Sequence, residues 1–407
     1  MKLLILTQYY PPETGAPQNR LHELAVRLMN KGLDVHVLTA LPNYPKMEIF
    51  SNYREGKNRN ETIEGIKVFR SWIKVSKSKK ITARLMNYFS FVFSSYFRGR
   101  KLGSYDYLMV ESPPLFLGYS AIALSKKMNA KLIFNVSDLW PESAEKLNIV
   151  KNRVFLKMAY RLESKCYNKA FLITGQTQGI VKDISSRFSH KKVHWLPNGV
   201  DTNYYKPNIK TSNFRKQNNF KQEDIIFLYA GIIGHAQGLE LLLKAAQKTK
   251  NDLNIKFVIL GDGPVKEDLL DIKEELNLFN VFFFESVPKT EMPNIISETD
   301  VAFVPLKKLD LFLGAIPSKI FENLAMNKPV LLGVDGEAKE LFINQGGAGW
   351  FYEPEDLEDL VNKIQQIKNN PEQIIIRGRK GREYVKNNFE RDGIAEVFFR
   401  ILLQKSH

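Results

Sequence analysis

Residues 225–264 read IIFLYAGIIGHAQGLELLLKAAQKTKNDLNIKFVILGDGP. An apolar, β-prone run over 225–230 leads into Gly231, Gly234 and Gly238. An amphipathic stretch follows over 238–250, and a second apolar run over 256–260 ends at Gly261-Asp262-Gly263-Pro264. Continuous apolar strands alternating with helices belong to parallel sheets covered on both faces. This stretch therefore reads as the start of a Rossmann-like half.

The same rhythm extends in both directions. Before it, strand candidates fall at 2–7, 34–39, 66–72, 107–110, 131–136, 171–174 and 193–196; after it, at 280–284, 301–305 and 329–333. Amphipathic segments at 17–31, 153–169, 265–277 and 355–369 lie between strands or after them. The stretch 201–224 breaks the pattern: it is polar, rich in Asn and Lys, and contains Pro207. The chain of 407 residues is too long for one typical core. The reading is an α/β protein of two doubly wound, Rossmann-like domains, 1–200 and 225–390, with 201–224 as linker. A C-terminal helix within 391–407 can pack on either domain. Ligands of such sheets bind beyond the carboxyl ends of the strands, so chemistry is sought in the loops there.

Composition narrows the classes. Hydrophobic residues make up 44% and charged residues 25%, as in ordinary globular proteins. The single cysteine, Cys166, allows no intramolecular disulfide and suggests a reducing compartment. The apolar start, Met1 to Leu6, is too short for a signal peptide and is followed by Gln8-Tyr9-Tyr10-Pro11-Pro12 instead of small residues, so it reads as a buried strand. No run of about 18 apolar residues is present. The net charge is +15, and residues 67–101 hold ten Lys or Arg and no acid. A basic surface attracts nucleic acid, anionic lipid or phosphorylated substrates. No recognition motif for nucleic acid accompanies the charge, so that partner is not expected.

Five loops carry candidate chemistry. Tyr9 to Ala16 brings Gly15 to the start of a helix, where backbone can approach an anion; the plainer alternative is a proline-stiffened turn. Gly231, Gly234 and Gly238 suit a phosphate or sugar loop, or close helix–strand packing. Gly261 to Pro264 reads more simply as a turn that opens a helix. Gly314 to Pro329 places Pro317 and Ser318 at a helix start whose N–H groups can hold a diphosphate. Lys319 adds a cation there, and Glu322, one turn on, can take two ribose hydroxyls; the alternative is a capping box and a solvated lysine. Asn135 to Ser143 sets Asp138, Trp140 and Glu142 at a strand end, as acceptor contacts or a base, or as an Asx turn before a helix.

The order of these motifs resembles the retaining glycosyltransferases of family 4, which have the GT-B fold of two Rossmann-like domains facing across a cleft. The likeness runs from Pro11-Pro-Glu-Thr-Gly-Ala16 through Leu196-Pro-Asn-Gly-Val-Asp201, Tyr229-Ala-Gly231, Gly261-Asp-Gly-Pro264 and Thr299 to Pro305, to Glu322 through Pro329. Asp138 to Ser143 and Pro317-Ser-Lys319 resemble most the branch that builds bacterial O-antigens and capsules, which includes proposed N-acetyl-L-fucosamine transferases.

The resemblance implies a UDP-sugar donor, an undecaprenyl-diphosphate-linked acceptor, and a site on the inner face of the bacterial cytoplasmic membrane. It implies that Glu322 holds the ribose, that Ser318 and Lys319 face the diphosphate, that Glu285 and Val287 lie along the base, and that the Gly15 loop closes over the diphosphate. Gly231, Gly234 and Gly314 complete the donor set, with Asp138, Glu142 and Lys319 as catalytic candidates. The sequence departs from the family at Gly314, where the first motif glutamate belongs, at Ile232 and Gln237, where Arg and Lys are usual, and at Ser137, where His is frequent. Without an Asp-x-Asp motif no metal is expected, and Lys319 is left to meet the phosphate charge. Two other readings share the fold: a UDP-sugar 2-epimerase, and a silent nucleotide-sugar-binding partner.

The segment 81–101 is basic and aromatic. A helical wheel puts Leu85, Tyr88, Phe89, Val92, Phe93 and Tyr96 on one face, with Asn87, Ser90, Ser94 and Arg98 opposite and Phe91 interrupting the polar side. Basic flanks and aromatic bulk suit a helix in a membrane interface; the alternative is a core helix.

Overall fold

The computed structural model describes every residue except Thr14, Lys79, Leu147, Asn148, 208–212 and 405–407. It divides into two compact units, Met1–Asn198 with Arg391–His407, and Gly199–Glu390.

In the first unit β1 (Lys2–Leu6), β2 (Asp34–Ala40), β3 (Asn60–Ile63), β4 (Ile66–Ser71), β5 (Tyr107–Ser112), β6 (Lys131–Val136), β7 (Leu172–Gly175) and β8 (Val193–Trp195) form one sheet. Its order is β3-β4-β2-β1-β5-β6-β7-β8. All pairings are parallel except β3 with β4. β1 shows why its central strands are largely apolar. Leu3 and Ile5 join a core with α1 (Ala16–Asn30) and the C-terminal helix Arg391–Gln404. Leu4 and Leu6 join the opposite core with α2 (Ile81–Gly99), α3 (Leu117–Met128) and α5 (Arg153–Lys169). The short α4 (Glu142–Lys146) precedes α5. The C-terminal helix is held to α1 by Arg27–Asp392 and Lys31–Glu396, both at 2.6 Å.

In the second unit β9 (Ile225–Ala230), β10 (Ile255–Leu260), β11 (Val281–Phe284), β12 (Val301–Pro305), β13 (Val330–Gly333) and β14 (Gly349–Phe351) pair in parallel in the order β11-β10-β9-β12-β13-β14. β9 lies between β10 and β12, so the strand order reverses beside it. That reversal is where an open parallel sheet leaves a crevice for ligand. The described part of 201–224 is more than a tether. Phe214 and Phe220 are buried, and Arg215 bonds the Glu298 carbonyl at 2.8 Å and Asp300 at 2.7 Å. Residues 208–212 of that stretch lie outside the described chain.

The orientation of α2 corrects the sequence reading. Asn87, Phe91, Ser95 and Gly99, each four residues apart, form its most buried stripe. Phe91, which interrupts the expected polar side, is fully buried, while Phe93 is 64% and Phe97 55% exposed. The physical reason is local. Asn87 is satisfied inside, accepting from Gln8 Nε2 at 2.8 Å and donating to the Lys74 carbonyl at 2.8 Å. Ser95 meets Ser120 of α3 at 3.1 Å, and a Cβ on Gly99 would stand 2.7 Å from Leu124. Small and bonded polar side chains thus let α2 approach α3. Phe89 stacks near Phe116, with centroids 4.8 Å apart, and Val92 is buried. Both belong to the core instead of a free apolar face.

Candidate active site

The second unit assembles its loops at the carboxyl ends of β9 to β13. The Gly231 amide donates to the Leu260 carbonyl at 2.9 Å, Ile233 to Asp262 at 2.9 Å, and Gly261 to Phe284 at 3.0 Å. A Cβ on Gly261 would lie 1.9 Å from the Gly231 oxygen, and one on Gly263 2.2 Å from the Ile233 oxygen. These two glycines serve backbone packing, as the plainer alternative for that turn held. Gly231 differs. Its φ of +143° suits glycine, and its open side faces the Lys319 ammonium, 3.1 Å from where a Cβ would stand.

Lys319 is the second residue of the helix Ser318–Ala325. Pro317 precedes that helix and no side chain caps it, so the capping-box alternative is not what forms. The Lys319 ammonium lies 3.6 Å from the centroid of the Tyr229 ring. Tyr229 hydroxyl donates to the Ile232 carbonyl, which fixes the ring. Burial lowers the lysine's pKa to about 7, with Glu322 opposing that shift. A partly neutral lysine, set at the positive end of a helix, is a cation waiting for an anion. An anion placed there would meet the room left by the Gly231 backbone, the N–H groups that open the helix and the ammonium.

Ser318, Lys319, Glu322 and Gly231 are therefore brought together. Gly234 lies in the same loop as Gly231, and Gly314 ends the 3₁₀ turn Asp310–Gly314. Glu285 and Val287 follow β11; Glu285 is exposed and bonded to Lys266 at 2.6 Å. Tyr229 is a residue the sequence reading missed, since an aromatic on a core strand carries no signal of a cation above it.

The first unit builds its own strand ends. Glu13 is buried and accepts from the backbone N–H groups of Asn43 at 2.8 Å, Tyr44 at 2.9 Å and Tyr10 at 3.2 Å. It clamps the Gly15 loop to the loop after β2. Burial raises its pKa, and the three amides oppose the rise. Fully buried Arg70 on β4 donates to the Pro11 and Ala40 carbonyls and pairs with Glu61. Thr14, the centre of that motif, lies outside the described residues. Arg20 on α1 reaches Glu111 at 2.6 Å and Ser137 at 2.9 Å, so Ser137 is tied into a buried network. Asp138 accepts from Ser143 Oγ at 2.8 Å, and burial raises its pKa. Glu142 is paired with Lys146 at 2.6 Å. Asp138 and Glu142 belong to the first unit; Gly231, Ser318, Lys319 and Glu322 belong to the second.

Two doubly wound parallel sheets, each with ligand loops at its strand ends, define the GT-B class of fold. Residues 15–199 match the family described as Glycosyl transferase 4-like domain, and residues 210–388 match Glycosyl transferases group 1. Between them these domains span most of the chain, which is a glycosyltransferase. It is 25% identical, over 98% of both chains, to WcaI of Escherichia coli (strain K12), a glycosyl transferase named for colanic acid biosynthesis. It is 32% identical, over 29% of this chain and 30% of the relative, to a Campylobacter jejuni N-acetylgalactosaminyltransferase whose name specifies a diphospho-undecaprenol glycan. The fold is similar to that of HepE from Anabaena, solved with UDP-glucose: TM-score 0.72, 16% identity, 99% of this chain and 100% of that one.

Proposed function

We propose that this glycosyltransferase moves a sugar from a UDP-sugar to a polyprenyl-diphosphate-linked glycan during synthesis of a bacterial surface polysaccharide. The observation that carries the reading is the Lys319 ammonium, held beside Gly231 at the start of a helix. The names of the E. coli and C. jejuni relatives support the pathway class and the lipid-linked acceptor. The UDP-glucose in the Anabaena structure supports the donor class. N-acetyl-L-fucosamine is the first sugar to test.

The reaction follows from these groups. An acceptor hydroxyl attacks the anomeric carbon on the face from which the diphosphate leaves. The bond from that carbon to the phosphate oxygen breaks, and the hydroxyl proton passes to the departing phosphate. Lys319 and the helix N–H groups meet the charge that grows on the diphosphate. Glu322 takes the ribose hydroxyls, and Asp138 orients the acceptor. No divalent metal is needed in this scheme.

UDP titration in EDTA tests it. At pH 8 the free site has largely lost the Lys319 proton, because its value is about 7. UDP binding then takes up close to one proton, seen as a dependence of heat on buffer ionisation. At pH 6 the lysine is already largely charged and its uptake falls away, while the terminal phosphate of UDP, with a second pKa of about 6, releases protons on binding, so net uptake is lost. Affinity accordingly falls as pH rises above 7. Binding that requires Mg²⁺, or that shows no proton uptake at pH 8, contradicts the assignment.

We place the enzyme peripherally on the cytoplasmic face of the membrane, through residues 67–101. No described helix is long and apolar enough to cross a membrane. Each Lys or Arg near an anionic surface contributes about 1 kcal/mol, screened by salt. The apolar contact falls to Met86, Phe93 and Phe97, which are exposed on α2, with Trp72 alongside. Anionic vesicles should bind the protein, and high salt should release only part of it. Changing Met86, Phe93 and Phe97 to Ser should remove the salt-resistant part without unfolding. Equal salt-resistant binding by that variant would move the contact elsewhere.

A further inference from the structure

A cavity of about 260 Å³ lies in the second unit at the carboxyl ends of β12, β13 and β14. The segment 306–313 forms one side, and Val334, Asp335 and Glu353 form the other. The Lys307 N–H donates to the Ala236 carbonyl at 2.9 Å, and a Cβ on Gly238 would stand 3.4 Å from Lys307 Cγ. The wall is thereby stitched to the glycine loop that begins at Gly231. A Cβ on Gly336 would stand 2.1 Å from the Leu313 oxygen, so the loop after β13 is pressed onto the same segment. The lining is mixed. Leu309 and Leu313 are 44% and 46% exposed, and Phe312 and Val334 continue the apolar side. Lys308 is paired with Glu353 at 2.6 Å, and Asp335 with Lys339 at 3.2 Å. The Lys307 ammonium and the Asp310 carboxylate have no ion-pair partner among the described residues.

Position in the sheet decides which part of a donor this cavity meets. In the order β11-β10-β9-β12-β13-β14, Glu285 and Val287 follow β11 at one edge, Gly231 follows β9, and the helix of Lys319 follows β12. The cavity lies beyond them, over β12 to β14. A nucleotide sugar laid across these ends, with its base over β11 and its diphosphate at Lys319, points its sugar at the cavity. The volume is below the about 300–1,000 Å³ of drug-sized sites, which leaves room for one sugar ring and not for a nucleotide. The charges set the kind of sugar. Lys307 and Lys308 bring two positive charges, and Asp310, Asp335 and Glu353 three negative ones, so a uronate would be repelled. A plain hexose would satisfy the carboxylates but leave Leu309 and Leu313 wet. An N-acyl group satisfies both sides, since its carbonyl can accept from Lys307 and its methyl can cover the leucines. We propose that this cavity is the subsite for the transferred sugar, and that this sugar is neutral and N-acylated. Asp310 accepts from a ring hydroxyl. The proposal rests on the donor reading, since it extends UDP-sugar binding beyond the diphosphate.

UDP-N-acetylglucosamine, UDP-glucose, UDP-glucuronate and UDP, titrated into the full chain in calorimetry, test this. UDP-N-acetylglucosamine should bind roughly tenfold more tightly than UDP-glucose, the scale of one added charged hydrogen bond. UDP-glucuronate should bind most weakly of the three. Lys307→Met and Leu313→Asp should each collapse the preference for the acetylated sugar. The ratio between two UDP-sugars is the readout, because any effect on their shared UDP part cancels in it. Both side chains are partly exposed, so the melting temperature should hold. Equal binding of UDP-N-acetylglucosamine and UDP-glucose, tightest binding of UDP-glucuronate, or a preference unchanged in both variants would overturn the subsite. UDP alone separates the two readings. UDP bound with no preference among the sugars sinks the subsite and leaves the donor site. A native chain that binds no UDP sinks the donor site and the subsite with it.

Discussion

Lys319→Met should lower the turnover number by roughly 10² to 10³, the usual cost of removing one preorganised group from a developing oxyanion. The donor KM should change less, because the charge on the diphosphate grows most in the transition state. Folding should not suffer. The ammonium lies over Tyr229, where burial lowers its pKa to about 7, against an ordinary value of about 10.4. Between those two values the unfolded chain binds more protons than the folded one. Stability therefore rises with pH across that window, and below it the folded protein carries a charge it disfavours. The methionine variant removes this dependence and should melt at or above the native temperature at pH 6. A variant that loses stability and activity together would make Lys319 a structural residue.

Glu322→Ala should raise the dissociation constant for UDP about tenfold to over a hundredfold, since a lost charged hydrogen bond costs about 1.5–3 kcal/mol. Its carboxylate acts on the Lys319 charge, one turn along the same helix. UDP should lose this affinity while uracil alone is indifferent. A ribose assignment is abandoned if UDP binds the variant as it binds the native chain.

Much of this architecture could be read from residues alone, for a physical reason. A strand buried on both faces is apolar at nearly every position, so β1, β9 and β10, with Lys2 and Lys256 as their only polar residues, stand out whatever surrounds them. β3 and β14 do not: Asn60-Glu-Thr-Ile63 is a polar edge strand, and Gly349-Trp-Phe351 is three residues long. α2 was legible as a helix but not in orientation. A wheel counts side chains by type, whereas Asn87 and Ser95 are buried because other groups bond them. The grouping of Gly231, Ser318 and Lys319 was legible because glycines, a helix start and a lysine form a local pattern. The Glu13 clamp and Tyr229 were not, because each acts through contacts that only the folded chain creates.

The central claim is that the second unit holds a nucleoside diphosphate against Lys319. A crystal structure of the protein with UDP tests it most directly. The account predicts phosphate oxygens within hydrogen-bond reach of the Lys319 ammonium and the amides opening the helix Ser318–Ala325, over Gly231, with the ribose hydroxyls on Glu322. UDP bound away from that helix, or with its phosphates turned from Lys319, would contradict the account.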